Sequence, residues 1–243
     1  RPCCSAMRRI HLSLLMVINR SPGAILGAVP RRLVLALAPL LALAAPAHAQ
    51  PAPFATVERT GDAIVFRGRI EGTAAAKFRE LLREPGVGRL VITSHGGLVD
   101  AALDIAEAVV DHALDVEVPQ ACLSSCANYV FPAGRRKRLG HARAVGWHGN
   151  MAHVLHLQQT GQASWSEPEI ESARRLERRE QAFFRRIGVD GFVCWFGKVA
   201  PHDVDEFYSL TAPDMARFGI SDVAVGDAPV PAGAPELIAV DPE

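Results

Sequence analysis

Short apolar strands alternate with amphipathic helices over residues 70–149, and this alternation limits the folds open to the chain. The run Arg89–Ser94 is short and β-branched, as expected of a buried parallel strand. From Val99 onward an apolar residue recurs every three to four positions, which predicts a helix. The run "LDVEVPQ" and the stretch Ala142–Gly149 predict two further strands. The pattern therefore predicts an α/β fold of stacked βαβ units around a parallel sheet.

Composition divides the chain into three parts. Residues 31–49 place two arginines before a Leu/Ala-rich stretch that closes on Ala-His-Ala, which is the layout of a secretory signal peptide cleaved after Ala49. An uncleaved N-terminal membrane anchor is the alternative. Residues 1–49 are thus set apart as upstream residues and signal peptide, 50–226 as the α/β domain, and 227–243 as a flexible Pro/Ala/Gly-rich tail. We expect a periplasmic or secreted protein.

The C-terminal part of the domain predicts a helical arm. Residues 150–165 are polar and predict turns, and a capping box at Ser166–Glu169 opens a long helix that extends to Ile187. One face of that helix is apolar and the rest is Arg/Glu-rich, which is typical of an ion-paired, solvated surface and a place to look for a partner. Residues 190–199 predict a second, more buried helix, and residues 211–220 a short one.

Two segments combine small and polar residues where a site would form. Gly96-Gly97 follow a strand and precede a helix, so their N–H groups either face an anion or only close a tight turn. Ser125 opens a predicted helix and is either its cap or a nucleophile. If it is the nucleophile, Ser124 is the natural cap and the Cys126 N–H an oxyanion donor.

His148 ends the last of the predicted strands, beside two glycines. A histidine there either accepts a proton from a serine or has a purely structural role. The nearby His141, His153 and His156 allow a metal site instead, although no carboxylate pattern accompanies them. Lys198 is an alternative base, in a Ser-Lys dyad.

The order of these motifs resembles the ClpP/crotonase superfamily, in particular the proteolytic subunit of the Clp protease. In that family a strand leads to two glycines, a serine turn runs on to Ala-Gly, a histidine ends a strand, and an acid precedes a Ser/Thr-Ala helix. The resemblance covers residues from about Leu90 to Asp222. The matching segments are "ITSHGGLVDAALDI" (92–105), "SSCANYVFPAG" (124–134), "AVGWHGN" (144–150) and "LTAPDMARFGISD" (210–222).

The resemblance implies a role for each matching position. It makes Ser125 the nucleophile, His148 the base and Asp203 the acid, with Asp205 two residues away as the alternative acid. It assigns the oxyanion hole to the backbone N–H groups of Gly97 and Cys126. Cys126 itself lies one residue past the nucleophile position. His95 departs from the family, which has proline before the two glycines.

Three cysteines, Cys122, Cys126 and Cys194, lie within the predicted domain. In an oxidising compartment one disulfide and one free thiol are expected, and three pairings are open. The turn from Cys122 to Cys126 is like the C-x-S-x-C turn of a periplasmic branch of the family. Cys122 and Cys126 are therefore either a disulfide that steadies the serine turn or two small buried thiols.

The function implied is that of an exported serine hydrolase, in the first instance a peptidase with a Ser-His-Asp triad, without metal or organic cofactor. A non-catalytic binding or scaffold protein of the periplasm is the alternative. Lysine plus arginine number 26, as do aspartate plus glutamate, so charge does not favour a nucleic-acid partner. We expect a peptide or unfolded protein as substrate, no ATPase partner, and a homo-oligomer.

Overall fold

A six-stranded sheet forms the centre of the fold in the computed structural model, which describes residues 55–242. Its strands, in spatial order, are β1 (Thr56–Thr60), β2 (Ala63–Arg67), β3 (Arg89–Thr93), β4 (Asp115–Val118), β6 (Lys137–Leu139) and β9 (Val223–Val225). The first two strands form an antiparallel hairpin, and every other neighbouring pair is parallel. The predicted α/β class with a mostly parallel sheet is confirmed.

Two helices cross between the parallel strands. They are α1 (Gly72–Leu81), between β2 and β3, and α2 (Val99–Asp111), between β3 and β4. Each buries one apolar face, with Phe78 and Leu103 among the side chains that have no exposed surface. Burial of these faces against the sheet gives the hydrophobic core, since apolar area removed from water is the main favourable term in folding.

A smaller group of strands lies beside the carboxyl ends of the main sheet. β5 (Cys122–Leu123) pairs in parallel with β7 (Val145–Gly146), and an isolated bridge joins Ser94 to Cys122. The strand predicted over Ala142–Gly149 is therefore only two residues long. β8 (Phe207–Ser209) is reached through an antiparallel bridge between Trp147 and Tyr208.

The predicted flexible tail, residues 227–243, is corrected in part. Residues Leu237–Ala239 form a strand, β10, which pairs in parallel with β8, and Leu237 is buried. The predicted signal peptide, and all of residues 1–49, lie outside the described residues. Within the described part of the chain, no helix is both long enough and apolar enough to cross a membrane.

Two helices form the predicted arm. Residues 150–165 were predicted as turns, but α4 (Met151–Gln159) occupies most of them, with Asn150 accepting the His153 N–H as its cap. The long helix α5 (Glu167–Ile187) has the predicted capping box and ends at Gly188 in the left-handed conformation. The arginine-rich side of α5 is ion-paired with α2, where Arg179 bonds both Asp104 and Glu107.

The segments after α5 are more irregular than the helical patterns predict. The helix predicted over residues 190–199 is instead two 3₁₀ turns, Gly191–Cys194 and Phe196–Lys198. The short helix predicted over 211–220 is present as α6 (Ala212–Arg217). Before the arm, the predicted helix after Ser125 is a π-helical turn, Cys126–Val130, that continues into α3 (Phe131–Ala133).

Candidate active site

The serine turn, residues 122–126, is held on both sides by backbone hydrogen bonds. On one side Cys122 donates its N–H to the Ala144 carbonyl at 2.7 Å and Ser124 donates to the Gly146 carbonyl at 3.0 Å. On the other side Leu123 donates to the Ser94 carbonyl at 3.0 Å. Ser124 has φ +56°, in the left-handed region that non-glycine residues seldom adopt. Such strain in a non-glycine residue persists only where its surroundings enforce it, and it concentrates at functional sites.

The histidine at the end of β7 meets the first serine of the pair. His148 Nε2 lies 2.7 Å from Ser124 Oγ. Ser124 is half-buried, whereas Ser125 keeps only 2% of its surface exposed. The predicted contact between Ser125 and His148 is therefore wrong: the turn aims the Ser124 side chain at the ring and the Ser125 side chain into the interior.

Ser125 instead bonds the glycine pair. The Gly97 N–H donates to Ser125 Oγ at 2.8 Å, and the Ser125 hydroxyl donates back to the Gly97 carbonyl at 3.2 Å. The amide predicted to hold an oxyanion is thus occupied by a side chain. The residue directly after Ser124 is Ser125, and the oxyanion role assigned to the Cys126 N–H stays a prediction.

The two glycines allow this close approach. A Cβ atom at Gly96, which has φ +89°, would lie 2.7 Å from the Leu123 carbonyl oxygen and 2.8 Å from Ser124 Cβ. A Cβ atom at Gly97 would lie 2.0 Å from the Ile70 carbonyl oxygen. Both positions therefore exclude a side chain, because backbone atoms occupy the space that it would need.

A disulfide closes the serine turn. Cys122 and Cys126 are joined, with Cα atoms 5.2 Å apart, and Cys194 is a free, buried thiol. Of the three pairings open from the sequence, the structure contains the one that brackets both serines. The bond links β5 to the start of the following helix, so it limits how far the turn can open.

His148 lies in an apolar and electropositive setting. Its ring packs on Phe207, with ring centroids 4.5 Å apart. Burial, and to a smaller extent the positive charge of Lys198, lower the pKa of His148 from 6.5 to about 4. The imidazole is therefore neutral at pH 7 and available to accept a proton.

The predicted acid is not in place beside the histidine. Asp203 and Asp205 are both exposed, and among the described residues no carboxylate hydrogen-bonds to His148. The charged side chain that acts on the pKa of His148 is instead that of Lys198. Its ammonium donates to three carbonyl oxygens, those of Val204 at 2.9 Å, Asp205 at 2.8 Å and Glu206 at 2.5 Å.

Two side-chain links, which the sequence analysis missed, join the helix after Ser124 to the segment after His148. Asn128 donates from Nδ2 to the Gly149 carbonyl at 2.8 Å, and its own N–H donates to the Ser124 carbonyl at 2.8 Å. Asn128 thus fixes the position of the serine turn relative to the segment that follows His148. No periodic signal marks it, since it is one polar residue within an apolar helix.

The second link passes through a buried carboxyl group. Glu180 Oε1 accepts the Tyr129 hydroxyl and, at 3.2 Å, the Met151 N–H at the start of α4. Burial raises the pKa of Glu180 to about 7. A signal for Glu180 was available, because it follows Leu176 by four residues and so lies on the apolar face of α5.

The histidines weighed for a metal site have other contacts. His141 Nε2 lies 2.8 Å from the Gln120 carbonyl oxygen, and the rings of His153 and His156 pack on Trp195. Across residues 55–242, no group of three or more His, Cys, Asp or Glu side chains is arranged to hold a metal ion.

Comparison with known proteins finds similarity in structure. No protein-family model matches the chain, and no curated protein sequence matches it. A mutant of the 1510-N membrane-bound stomatin-specific protease matches with a TM-score of 0.43 and 14% identity, over 68% of this chain and 78% of that one. A ClpP1 mutant from Listeria monocytogenes matches with a TM-score of 0.44 and 16% identity, over 69% of this chain and 92% of that one.

The described residues have a mixed α/β architecture with a mostly parallel sheet. At these identities and TM-scores, the similar structures do not indicate which residues of this chain act on a substrate. The chemistry has to be inferred from the contacts of Ser124, His148 and Gly97.

Proposed function

We propose that the protein is a serine hydrolase in which Ser124 is the nucleophile and His148 the general base. The observation that carries the proposal is the 2.7 Å contact between Ser124 Oγ and His148 Nε2, made by a serine in a left-handed turn. A neutral imidazole at hydrogen-bond distance from a hydroxyl is the arrangement that activates serine. Lys198 and the aspartates do not contact the hydroxyl.

The reaction follows from these two groups. Ser124 Oγ forms a bond to the substrate carbonyl carbon, its proton passes to His148 Nε2, and the carbonyl π electrons move to oxygen. When the carbonyl re-forms, the bond to the leaving group breaks, and the leaving group takes the proton from His148. Water then attacks the acyl-enzyme by the same route and releases the acid. A peptide bond as the substrate rests on the resemblance of the motifs.

Covalent labelling with a fluorophosphonate probe tests the proposal. The probe should label the wild type at Ser124, located by mass spectrometry of the labelled peptide. Labelling should disappear in Ser124→Ala and persist in Ser125→Ala, which is the matched control one residue away. His148→Ala should slow labelling by roughly a thousandfold or more. Equal labelling of wild type and Ser124→Ala would contradict the proposal.

A binding or scaffold role is the second candidate, and two observations favour it. No carboxylate orients His148 among the described residues, and the Gly97 N–H already has a hydrogen-bond partner. A protein that only binds peptides would stay unlabelled by the probe while retaining peptides in a binding assay. The labelling experiment therefore separates the two candidates directly.

Export and self-assembly belong to the same proposal. A Cys122–Cys126 disulfide supports an oxidising compartment, because cytosolic thiols are kept reduced. N-terminal sequencing of protein recovered from a periplasmic fraction tests cleavage after Ala49. A homo-oligomer rests on the motif resemblance, and light scattering behind a sizing column tests it.

A further inference from the structure

The Ser125 hydroxyl pairs with both backbone polar groups of Gly97. Its oxygen accepts the Gly97 N–H at 2.8 Å, and its proton is donated to the Gly97 carbonyl at 3.2 Å. The neighbouring amide, that of Gly96, is bound in a similar way by the Ser94 hydroxyl at 3.0 Å. Neither glycine N–H is therefore free in this conformation.

Gly96 and Gly97 lie directly against the serine turn. A Cβ atom at Gly96 would fall 2.8 Å from Ser124 Cβ and 3.1 Å from the Ser125 amide nitrogen. The glycine pair and the Ser125 amide therefore lie beside Ser124, where backbone donors could reach a carbonyl group that Ser124 attacks. Negative charge that develops on that carbonyl oxygen requires such donors, fixed in advance.

We propose that the Ser125 hydroxyl is the resting occupant of the oxyanion site and has to rotate off the Gly97 N–H when a substrate carbonyl enters. This inference rests on the proposed function. The inference gives Ser125 control over the reaction, although its hydroxyl bonds neither Ser124 Oγ nor His148. The hydroxyl keeps the Gly97 amide paired while the site is empty, and it competes with the substrate for the same donor.

The exchange requires only a movement of the Ser125 side chain, because the backbone on both sides is held. The backbone of the serine turn is closed by the disulfide and by the Ser124 N–H bond to Gly146. Residues Gly96 and Gly97 are held by Ile70, which donates to the Gly96 carbonyl and accepts from the Leu98 N–H, each at 2.9 Å. Rotation of one serine χ1 angle between staggered positions releases the Gly97 amide and moves no backbone.

Removal of the hydroxyl tests the inference. In Ser125→Ala the Gly97 N–H has no side chain to displace, so the second-order rate of fluorophosphonate labelling at Ser124 should rise roughly fivefold, the value of one net hydrogen bond. Ser94→Ala is the matched control, because it removes a buried hydroxyl from the adjacent glycine amide. That variant should not label faster than the wild type.

The outcomes separate this inference from the proposed function. If the wild type labels at Ser124 and Ser125→Ala labels at the same rate or more slowly, the competition is absent and only the inference is overturned. If wild type and Ser125→Ala are both as unreactive as Ser124→Ala, the proposed function fails and the inference fails with it.

A crystal structure of the phosphonylated wild-type protein provides a test that does not depend on how the variants fold. The phosphoryl oxygen should accept the Gly97 N–H, and Ser125 Oγ should have rotated away from it. A Ser125 oxygen still about 2.8 Å from the Gly97 nitrogen in the labelled protein would overturn the inference.

Discussion

The serine turn and the lysine loop, residues 199–206, are built in different ways. The turn is mostly buried, its amides bond carbonyls of Ser94 and of residues 144–146, and a disulfide closes it. The loop is mostly exposed, and three of its consecutive carbonyls converge on the Lys198 ammonium. The turn therefore presents one side chain to His148 in a constrained geometry, whereas the loop presents backbone carbonyls to a cation and leaves its carboxylates in solvent.

This difference indicates what would support the proposed reactivity of Ser124. A triad acid orients the histidine and stabilises its charged form. Here the orientation comes from backbone pairing and from the Asn128 bond to Gly149, and burial together with Lys198 disfavours the charged form. We therefore expect substitutions in the turn to have large effects and carboxylate substitutions in the loop to have small ones.

The largest effect is expected from a side chain placed against the serine turn. Gly96→Ala puts a methyl group 2.7 Å from the Leu123 carbonyl oxygen at a φ of +89°. It should lower the free energy of unfolding by about 3 kcal/mol and slow labelling of Ser124 roughly a hundredfold through displacement of the turn. Urea unfolding and probe kinetics measure both.

Gly88→Ala is the matched control for that substitution. No atom lies within 4 Å of a Cβ built there, so stability and labelling should change little. If Gly96→Ala behaves like Gly88→Ala, the serine turn is more adaptable than its backbone pairing indicates.

Opening the disulfide is expected to have the next largest effect. In the double variant Cys122→Ala/Cys126→Ala the loss of a bond over a sequence separation of 4 removes about 2 kcal/mol of stability by the chain-entropy estimate. Labelling of Ser124 should slow and no longer respond to reductant. Cys194→Ala lacks only the free thiol, so reductant should slow its labelling as it slows that of the wild type. If reductant no longer affected Cys194→Ala, the effect could not be assigned to the Cys122–Cys126 disulfide.

The lowest pH at which Ser124 is still labelled, here called the acid limit, tests whether the charge of Lys198 acts on His148. Because the pKa of His148 is lowered from 6.5 to about 4, the neutral base should persist, and labelling continue, until the pH falls to about 4. Lys198→Gln removes a positive charge that disfavours the imidazolium, so its acid limit should move to higher pH. It should stay below 6.5, since burial is the larger cause.

The exposed Lys77, on α1, is the control for Lys198. Lys77→Gln should leave the acid limit of labelling where the wild type has it. An identical limit in wild type and Lys198→Gln would mean that the lysine loop does not act on His148 electrostatically.

The smallest effect is expected from the carboxylates of the loop. Asp203→Asn and Asp205→Asn should each change the labelling rate by less than about twofold, because neither side chain contacts His148 in this structure. In a Ser-His-Asp triad the same change costs about 10⁴ in rate. A fall of that order in one variant would identify it as the acid and would bring the loop into the catalytic site.

The elements that could be predicted from the sequence are those whose signals lie within a few residues of one another. Strand β3, helix α2 and the capping box of α5 follow from periodicity and from residues three or four apart, and all are present. Helix α4 was missed because its polar residues suggested turns. The strand in the tail was missed because its partner, β8, lies about thirty residues away and gives no local signal.

The sequence alone determined the α/β alternation, the glycine pair, and the small set of residues from which a site could be built. Steric limits and hydrophobic periodicity act over a few residues, so they can be recognised from the sequence without knowledge of the fold. Only the tertiary structure decided which serine meets His148, that the Gly97 amide is occupied, and that no carboxylate of the described residues hydrogen-bonds to the imidazole. Those contacts join residues more than twenty positions apart, and a one-residue change in a turn redirects the side chain that makes them.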